Sequence, residues 1–315
     1  MLFLSQEEVT GLLDTDPLLD VLDEAFRLVA AGRVSVPPRP AARAPRGMLA
    51  VMPGFVPGHG LAAKQVAVFP DNHERGLPSH LALITLFDEE TGAPLAVMDG
   101  ERITAARTGG ASAVSVRLLA RPDARVLAIL GAGVQAAAHL EAVSRVRGIT
   151  EVRIASRTFA HASALAATDP RARAVGTFEE AVRGADVVCC CTHSDRPVLS
   201  FGWLAPGAHV TSVGFNGEGS ELDRETVTGG QLFIESVDAF APPPAGCFEL
   251  QGLAREAATE LGAALAGDAP GRRGPDEITV YKSMGHASQD VVAARLVYER
   301  ALERGPGRLG RLVEL

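Results

Sequence analysis

The spacing of hydrophobic and polar residues predicts helices at the start of the chain. Ser5 and Glu8 have the spacing of a capping box, which indicates that a short helix begins there. Asp16 and Pro17 predict the N-cap and the first position of a second helix, which ends at Gly32. The apolar stripe of this second helix has helical spacing and consists of Leu18, Val21, Leu22, Ala25, Phe26 and Val29.

Between residues 34 and 100 the apolar segments are short and are separated by Gly, Pro, Asn and Asp. This pattern predicts strands joined by turns, in an antiparallel or mixed sheet, with a hairpin tip at residues 90–92. The predicted strands are 48–52, 61–69, 81–87 and 94–98, and an alanine-rich helix over 104–119 follows them.

From Val126 onward, predicted strands alternate with predicted helices. The strands are expected at 126–130, 152–155, 187–191, 209–213, 232–235 and 278–282. The helices are expected at 135–146, 159–167 and 288–304, and Thr177 with Glu180 caps another. Such alternation is typical of a parallel sheet with helices on both faces, so we predict an α/β fold with a doubly wound sheet.

Composition narrows the possible classes of function. The chain has 315 residues, and 30 Lys and Arg against 38 Asp and Glu give a net charge of −8. The length allows roughly two domains. An acidic balance with few aromatic residues argues against a nucleic-acid-binding protein. No apolar run approaches about 20 residues and the start, MLFLSQEEV, has no basic segment, so neither a membrane span nor a secretory signal is expected.

Three of the four cysteines are contiguous, at Cys189, Cys190 and Cys191, and Cys247 stands apart. Because neighbours on a strand point to opposite faces, this run fits a buried strand better than a disulfide or a metal site. No metal-ligand spacing appears elsewhere. We therefore expect reduced core thiols in a cytoplasmic protein that holds no metal.

A glycine-rich turn joins a predicted strand to a predicted helix in the segment VLAILGAGVQAAAHL. Gly131 permits the tight turn, Gly133 lets the backbone approach a pyrophosphate, and Ala136 takes the close-packing position. The start of the helix offers N–H groups and the positive end of its dipole to phosphates. This turn predicts a dinucleotide-binding domain, and the alternative is a purely structural turn.

The end of the next strand indicates which dinucleotide is bound. The sequence there is Ala155, Ser156, Arg157 and Thr158, without the carboxylate that would bond the ribose 2′-hydroxyl of NAD. Ser, Arg and Thr offer donors and a positive charge that suit a 2′-phosphate, so NADP is favoured and NAD stays possible. The alternative is that Arg157 lies in solvent and Ser156 only caps the next helix.

Several cations in the first half of the chain could bind a carboxylate. Lys64 lies in an apolar strand segment, Arg39 follows two prolines, and Arg107 begins an alanine-rich stretch. Arginine and lysine side chains that converge suit a carboxylate, which a guanidinium can bind with two hydrogen bonds. Each could equally be a solvated surface charge, and Arg43 and Arg46 are placed as well as Arg39, so spacing alone does not choose.

A resemblance to a known family rests on short segments that occur in order along the chain. They are MPG, GLAAKQVAVFPDN, GLPSH, TGAPLAVMDG, ITAARTGGASA, LGAGVQA, SRT, THSDRPVL and SMGHASQD. Over essentially its whole length the chain resembles the ornithine cyclodeaminase/μ-crystallin family. The resemblance implies a Rossmann-type dinucleotide domain (residues 116–285) and a smaller α+β substrate-binding and dimerisation domain (residues 1–115 with the C-terminal helix 286–315). It also implies a homodimer that pairs through the sheet of the smaller domain.

The resemblance further implies roles for individual residues. Arg39, Lys64 and Arg107 match the carboxylate-binding positions of the family, and Lys64 would donate a proton beside the reacting carbon. The matched cofactor positions are Thr108, Gly131, Ala132, Gly133, Val134 and Gln135 at the phosphates, Ser156, Arg157 and Thr158 at the ribose, and Thr192, Val213, Gly214, Ser283 and Gly285 around the nicotinamide.

The chain departs from the family pattern at two places. Cyclodeaminases have an Asp that acts as a base in the loop after residues 213–214, and here Asn216 falls on or next to that Asp. Asn cannot take a proton at neutral pH, and Glu218 is a possible substitute. Relatives with SRT and no Asp resemble reductases of imines or 2-oxo acids. The second departure is His286 with Gln289, where His286 has either a substrate contact or a structural or exposed role.

Three functions are consistent with these residues. The first is an NAD(P)H-dependent oxidoreductase that reduces the C=N bond of a small 2-imino acid or cyclic ketimine, which makes it equivalent to an amino-acid dehydrogenase. The second is an ornithine cyclodeaminase, a lyase that forms proline with tightly held NAD. It is less favoured than the first because Asn216 falls on or next to the Asp that cyclodeaminases use as a base. The third is a non-enzymatic protein that binds NADPH and a small acid.

Overall fold

The computed structural model describes residues 1–214, 219–243, 245–305 and 309–314, except for the side chain of His73. The chain divides into two compact units, Met1–Arg107 with His286–Leu315 and Thr108–Gly285. We refer to them as the first and the second unit. The functions that the resemblance assigns to two such domains stay predictions.

The helices that the described residues form are α1 (Gln6–Leu12), α2 (Thr15–Ala30), α3 (Gly100–Leu119), α4 (Val134–Val146), α5 (Phe159–Ala166), α6 (Phe178–Val182), α7 (Arg224–Gly229), α8 (Leu261–Ala266) and α9 (Ala287–Glu303). The strands are β1 (Leu2–Leu4), β2 (Ala41–Ala44), β3 (Gly47–Val56), β4 (Gly60–Val68), β5 (His80–Phe87), β6 (Pro94–Asp99), β7 (Val126–Leu130), β8 (Glu151–Ala155), β9 (Ala172–Ala174), β10 (Val187–Cys190), β11 (His209–Ser212), β12 (Gln231–Ile234), β13 (Ala258–Glu260), β14 (Thr279–Lys282) and β15 (Arg311–Leu312).

The first unit contains a mixed sheet, as the sequence predicts. The strand order is β15-β1-β6-β5-β4-β3-β2, and β1 runs parallel to β6 while the other pairs are antiparallel. The hairpin between β5 and β6 is confirmed, because Gly92 adopts a φ of +70° and its N–H donates to the Asp88 carbonyl at 3.0 Å. The hydrophobic pattern does not predict the short strands β1, β2 and β15, because segments of two to four residues are too short to show a period of two.

The two faces of this sheet differ in what covers them. One face carries buried residues such as Ala50, Met52 and Ile84, and α9 packs on β3, β4 and β5. The opposite face exposes Leu49 and Leu83, since successive strand residues alternate between the two faces. The mixed sheet therefore has one helix-covered face and one apolar face that the described chain leaves open.

The starts of the first two helices differ in how well the sequence predicted them. The capping box at Ser5 is confirmed: its hydroxyl accepts from the Glu8 N–H, and the Glu8 carboxylate accepts from the Ser5 N–H. The second start was wrong by two residues, because Asp14 is the N-cap of α2. Pro17 is tolerated in the first turn, where backbone N–H groups have no intrahelical acceptor.

The second unit contains an eight-stranded sheet in the order β13-β12-β14-β11-β10-β7-β8-β9, and every pair in it is parallel. The chain leaves β7 toward β8 and β9, then returns to add β10 on the other side of β7. This reversal is the topological switch point of a doubly wound fold, where ligands bind beyond the carboxyl ends of the strands. The predicted α/β, Rossmann-type fold is confirmed.

The cysteine run lies in the core of the second unit. Cys189 and Cys190 are on β10, Cys191 follows it, and all four cysteines are buried free thiols. Burial raises the pKa of Cys189 to about 12, so this thiol stays protonated and unreactive. Among the described residues, no group of three or more His, Cys, Asp or Glu side chains is arranged to hold a metal ion. Among those residues, too, no helix combines the length and apolarity of a membrane span.

Two buried histidines join helices and strands of the second unit. The Nε2 atom of His139 lies 2.8 Å from the Ser112 hydroxyl, and that of His209 lies 3.1 Å from the Ser115 hydroxyl. Burial lowers the pKa of His139 to about 4. Burial, with the charges of Arg272 and Arg147, lowers the pKa of His209 to about 3. Both imidazoles are therefore neutral in the folded protein at ordinary pH.

These two histidines predict a loss of stability in mild acid. A histidine in the unfolded chain titrates at about pH 6.5. Below that pH these two histidines bind two protons in the unfolded chain, whereas they stay neutral in the folded chain. The free energy of unfolding, measured with urea, is expected to fall by about 3 kcal/mol between about pH 6.5 and pH 5. His139→Gln should remove about half of this fall, whereas His161→Gln, at an exposed position, should leave it unchanged. An equal fall in all three proteins would contradict the assignment.

Candidate active site

The side chain of Lys64 lies on the buried face of the mixed sheet. In register it is paired with Met52 on β3 and Ile84 on β5, both apolar and both buried. The side chain of Lys64 is only 2% exposed. An ammonium group with so little contact with water needs a partner inside the protein.

That partner is Asp290, in the first turn of α9. Lys64 Nζ lies 3.0 Å from Asp290 Oδ1 and 2.9 Å from Oδ2. Arg107 Nε donates to Asp290 Oδ1 at 3.0 Å, and Arg107 Nη1 donates to Gln289 Oε1 at 3.0 Å. The structure thus brings Lys64 and Arg107, which sequence analysis singled out, onto one buried carboxylate.

Asp290 is not among the residues predicted for the site, although its position in the sequence carries a signal. Asp290 stands just before VVAARLV, and an acidic residue beside so apolar a helical segment is rarely buried unless it is paired. Its partners lie 183 and 226 residues away along the chain, so spacing could not reveal them.

Arg39 joins this group more loosely. It is half-buried in the segment before β2, and its charge contributes to lowering the pKa of Lys64. Arg43 and Arg46, its rivals in the sequence, are exposed. The structure therefore favours Arg39 as the third cation near Lys64.

The surroundings of Lys64 lower its pKa from 10.5 to about 8. Burial is the largest cause, and the positive charges of Arg107 and Arg39 act in the same direction. The Asp290 carboxylate opposes them and keeps the pKa from falling further. An amine with such a pKa can both release and accept a proton near neutral pH.

Lysine is rare in this chain, which contains only two among its 30 Lys and Arg residues. Both are buried: Lys64 in the first unit and Lys282 in the second. Surface positive charge is carried by arginine instead. Lysine differs from arginine in that its pKa shifts readily on burial. The confinement of lysine to two buried positions therefore indicates a role other than surface charge.

The glycine-rich turn of the second unit has the geometry that a dinucleotide requires. Gly131 has a φ of +114°, and a Cβ there would lie 2.5 Å from the Cys191 carbonyl oxygen. At Gly133, the N-cap of α4, a Cβ would meet no atom within 4 Å, so space is open beside the backbone. Within the described ranges no side chain caps α4; Val134 is exposed, and Ala136 is fully buried. These features fit a pyrophosphate at the start of α4.

The residues predicted to contact the ribose follow β8. Ser156 is half-buried, and Arg157 and Thr158 are exposed. Thr158, not Ser156, is the N-cap of α5, so the alternative role for Ser156 as a helix cap is wrong. Exposed Arg157 is accessible to a 2′-phosphate.

Two predicted nicotinamide residues are held together by the carboxylate of Glu221, which is not among the predicted site residues. Glu221 is buried, and its Oε1 accepts from the N–H and the hydroxyl of Thr192 at 2.6 and 2.7 Å. Its Oε2 accepts from the Ser212 hydroxyl at 2.7 Å and from the Gly214 N–H at 2.8 Å. Glu221 therefore fixes the chain just beyond the carboxyl ends of β10 and β11.

A buried ion pair supports this carboxylate. Lys282 Nζ lies 2.7 Å from Glu249 Oε2 and donates to the Gly214 carbonyl at 2.8 Å. Glu249 Oε1 in turn accepts from the Glu221 N–H at 2.6 Å. Burial alone would lower the pKa of Lys282, but the negative charges of Glu249 and Glu221 outweigh it and raise that pKa. Lys282 is consequently a permanent cation that helps to hold both carboxylates.

The remaining site residues are placed as follows. Glu235 is buried and accepts from the Ser283 hydroxyl at 2.6 Å and from the Gly285 N–H at 2.9 Å. Thr108 is buried, and Val213 is half-buried with its N–H donating to the Cys190 carbonyl. His286 is the N-cap residue of α9, and its Nδ1 lies 2.7 Å from the Ser288 hydroxyl. Asn216 and Glu218 lie outside the described residues.

The family of this chain follows from its similarity to known proteins. The family model described as "Ornithine cyclodeaminase/mu-crystallin family" matches residues 1–305. This chain belongs to that family. The sequence-based identification is confirmed over nearly the full length.

Three members of the ornithine cyclodeaminase/mu-crystallin family illustrate the similarity. Ketimine reductase mu-crystallin of Mus musculus is 38% identical, over 94% of this chain and 96% of the mouse protein. A Thermococcus litoralis Delta(1)-pyrroline-2-carboxylate reductase, solved with NADH and L-proline, has a TM-score of 0.93 and 34% identity over 99% of this chain and 100% of its own. An archaeal alanine dehydrogenase dimer with bound NAD has a TM-score of 0.92 and 32% identity over 100% and 99%.

Proposed function

We propose that this protein is an NAD(P)H-dependent oxidoreductase that reduces the C=N bond of a small 2-imino acid, cyclic ketimines included. The observation that carries the proposal is the convergence of Lys64 and Arg107 on one buried carboxylate, with Arg39 nearby. The dinucleotide turn at Gly131 and Gly133 supplies the second requirement. Relatives that reduce ketimines and pyrroline-2-carboxylate support the same chemistry.

The cations give the substrate its orientation. Arg107 and Lys64 carry two positive charges against the one negative charge of Asp290, to which both are bonded, so a further anion is favoured beside them. A substrate carboxylate held by a guanidinium through two hydrogen bonds has a fixed position. Fixing the reactant in this way lowers the entropic part of the barrier.

Lys64 is the group that moves a proton. With a pKa of about 8 it is mostly protonated at neutral pH and can deliver a proton to the imine nitrogen. In the reverse direction, oxidation of an amino acid, the unprotonated amine accepts that proton, so this direction is favoured above about pH 8. A nicotinamide nucleotide held at the turn of Gly131 and Gly133 would supply the hydride for the imine carbon.

The nucleotide preference that we propose is NADP(H). The residues that support it are Arg157 and Ser156, because the segment 155–158 contains no carboxylate. Arg157→Ala should raise the dissociation constant for NADPH by about 10–100-fold, since charged hydrogen bonds contribute about 1.5–3 kcal/mol. The dissociation constant for NADH should change little. Cofactor fluorescence titrations measure both, and Arg183→Ala at another exposed position is the control. An unchanged NADPH affinity in the Arg157 variant would refute the preference.

We also propose a homodimer that pairs through the exposed face of the mixed sheet. Leu83 is 54% exposed and Leu49 is 46% exposed on that face, and the archaeal alanine dehydrogenase is a dimer. Leu83→Arg should halve the mass measured by light scattering, from twice 32.9 kDa to one chain. Phe159→Arg, at a similarly exposed apolar residue of the second unit, should remain dimeric. A dimeric Leu83 variant would locate the interface elsewhere.

The test of the proposed function is NADPH oxidation, followed at 340 nm, with 1-pyrroline-2-carboxylate or its six-membered homologue. Oxidation that depends on both imine and enzyme, with the cyclic amino acid as product, is the expected result. No oxidation above background with either imine would refute the reductase. Ornithine converted to proline and ammonia without net cofactor change would identify a cyclodeaminase instead. Ligand stabilisation without turnover of any of these compounds would identify a binding protein.

A further inference from the structure

The carboxylate of Asp290 occupies an unexpected place. It is 1% exposed and bonds the same two cations that the proposed function assigns to the substrate carboxylate. A buried carboxylate could compete with the substrate, or it could prepare the cations to bind it. The hydrogen bonds that it leaves unused decide between these two roles.

Arg107 keeps most of its donors after bonding to Asp290. A guanidinium has five N–H groups, and here Nε bonds Asp290 while one hydrogen of Nη1 bonds Gln289. In the described part of the chain, Arg107 forms no other hydrogen bond. One hydrogen on Nη1 and both on Nη2 are therefore left, and this pair of nitrogens matches the two oxygens of a carboxylate.

Lys64 also keeps a donor. Its ammonium has three hydrogens, and Asp290 offers two oxygens at 3.0 and 2.9 Å. Asp290 therefore occupies the Nε side of Arg107 and at most two hydrogens of Lys64. The arrangement restrains both side chains without using up their donors, which favours preparation over competition.

The charges lead to the same conclusion. If Asp290 were removed, the negative charge between Lys64 and Arg107 would be lost. The two cations would then face each other directly, with Arg39 nearby. Their repulsion would drive the side chains apart or remove the proton from Lys64. With Asp290 in place, Lys64 and Arg107 together keep one positive charge in surplus, which one more carboxylate can neutralise.

We infer that Asp290 is a positioning residue, whose carboxylate aligns the Lys64 ammonium with the Arg107 guanidinium and keeps the charge on Lys64. This inference rests on the proposed function, because it names the residue that prepares the site for an imino acid. Asp290 itself does not need to touch the substrate.

The low lysine content makes the charge on Lys64 directly measurable. Protein grown with lysine labelled with ¹³C at Cε should show two lysine resonances, one from Lys64 and one from Lys282. Lys64→Met removes one resonance and so assigns it. In the wild type, the Lys64 resonance should titrate near pH 8, whereas the raised pKa of Lys282 keeps its resonance unchanged there.

Asp290→Asn should move the Lys64 titration to lower pH by about 1–3 units, because a neighbouring opposite charge has been removed while Arg107 and Arg39 remain. Glu299→Gln is the matched control. It removes a carboxylate from the same helix at an exposed pair with Arg295, and the Lys64 midpoint should not move. The inference would be overturned if the Lys64 midpoint in Asp290→Asn lay within about 0.3 pH units of the wild-type midpoint, because the expected shift is several times larger.

Kinetics provide the second readout. Asp290→Asn should raise the KM for the imino acid at least about tenfold, the loss of roughly one charged hydrogen bond. The alkaline limb of the pH–kcat profile should also shift to lower pH, together with the Lys64 midpoint. The dissociation constant for NADPH should stay within about twofold of the wild-type value. An unchanged KM and an unchanged limb would mean that Asp290 only stabilises the fold.

Asp290→Glu keeps the inference testable if Asp290→Asn does not fold. The charge is retained, so the Lys64 midpoint should stay near pH 8, but the displaced carboxylate should still raise KM. A wild-type KM in this variant would overturn the positioning role. If the wild-type enzyme reduces no imine, the proposed function fails, while the titration of Lys64 in the Asp290 variants still decides the inference.

Discussion

Lys64→Ala should lower the turnover of imine reduction by about 10²–10⁴-fold, the usual contribution of a general acid in place. The loss has two causes, since the variant lacks the proton donor and one of three cations near the substrate carboxylate. NADPH binding should be retained within about twofold, because the dinucleotide turn belongs to the other compact unit. Steady-state kinetics and a fluorescence titration of NADPH measure the two effects separately.

Two further variants define what Lys64 does. Lys64→Arg restores the charge but not the titratable amine. Its KM should therefore lie between the values of Lys64→Ala and the wild type, while its turnover should stay close to that of Lys64→Ala. Arg46→Ala removes an exposed cation from the same unit and should leave both constants unchanged. Turnover of Lys64→Ala within a few-fold of the wild type would show that Lys64 does not act at the reacting centre.

Lys282→Met should destabilise the second unit by about 3–5 kcal/mol, the cost of leaving a buried ion pair with one partner. Two carboxylates depend on Lys282: Glu249 lies 2.7 Å from its Nζ, and Glu221 is bonded to Glu249 through its N–H. Methionine fills a similar volume, so the loss reflects charge more than packing. Urea unfolding measures the change in the free energy of unfolding.

The matched control for Lys282 is an exposed pair. Arg183→Met breaks the contact with Glu179 on the surface and should cost less than about 1 kcal/mol. In the double variant Lys282→Met with Glu249→Gln, the unpaired charge next to the lost lysine is gone, so part of the stability should return. A single variant as stable as the wild type would show that the pair contributes nothing to the fold.

The parallel sheet and its dinucleotide turn could be predicted from the sequence because their signals are local. The apolar run Val126–Leu130 is β7 at the predicted bounds, and Gly131 is needed where φ is +114°. Thr177, predicted as a cap, accepts from the Glu180 N–H at 3.0 Å. Each of these features is set by residues within a few positions of one another.

The residues that support the site could not be predicted in the same way. Asp290, Glu221 and Glu249 act through partners that are distant in sequence, which spacing along the chain does not reveal. Short-range propensity also misplaced the start of α2, where Asp14 precedes the predicted cap. The helix α3 begins at Gly100, four residues before its predicted start, because the Asp99 carboxylate accepts from the Arg102 N–H in its first turn.

The central claim is that an imino acid held by Lys64, Arg107 and Arg39 accepts a hydride from a nicotinamide nucleotide. The most direct measurement is mass spectrometry and NMR of the product formed from 1-pyrroline-2-carboxylate and NADPH carrying deuterium on the transferable side of nicotinamide C4. We expect proline with one deuterium at Cα for each NADPH oxidised. Proline without deuterium at Cα, or deuterated cofactor consumed without amino-acid product, would contradict the claim.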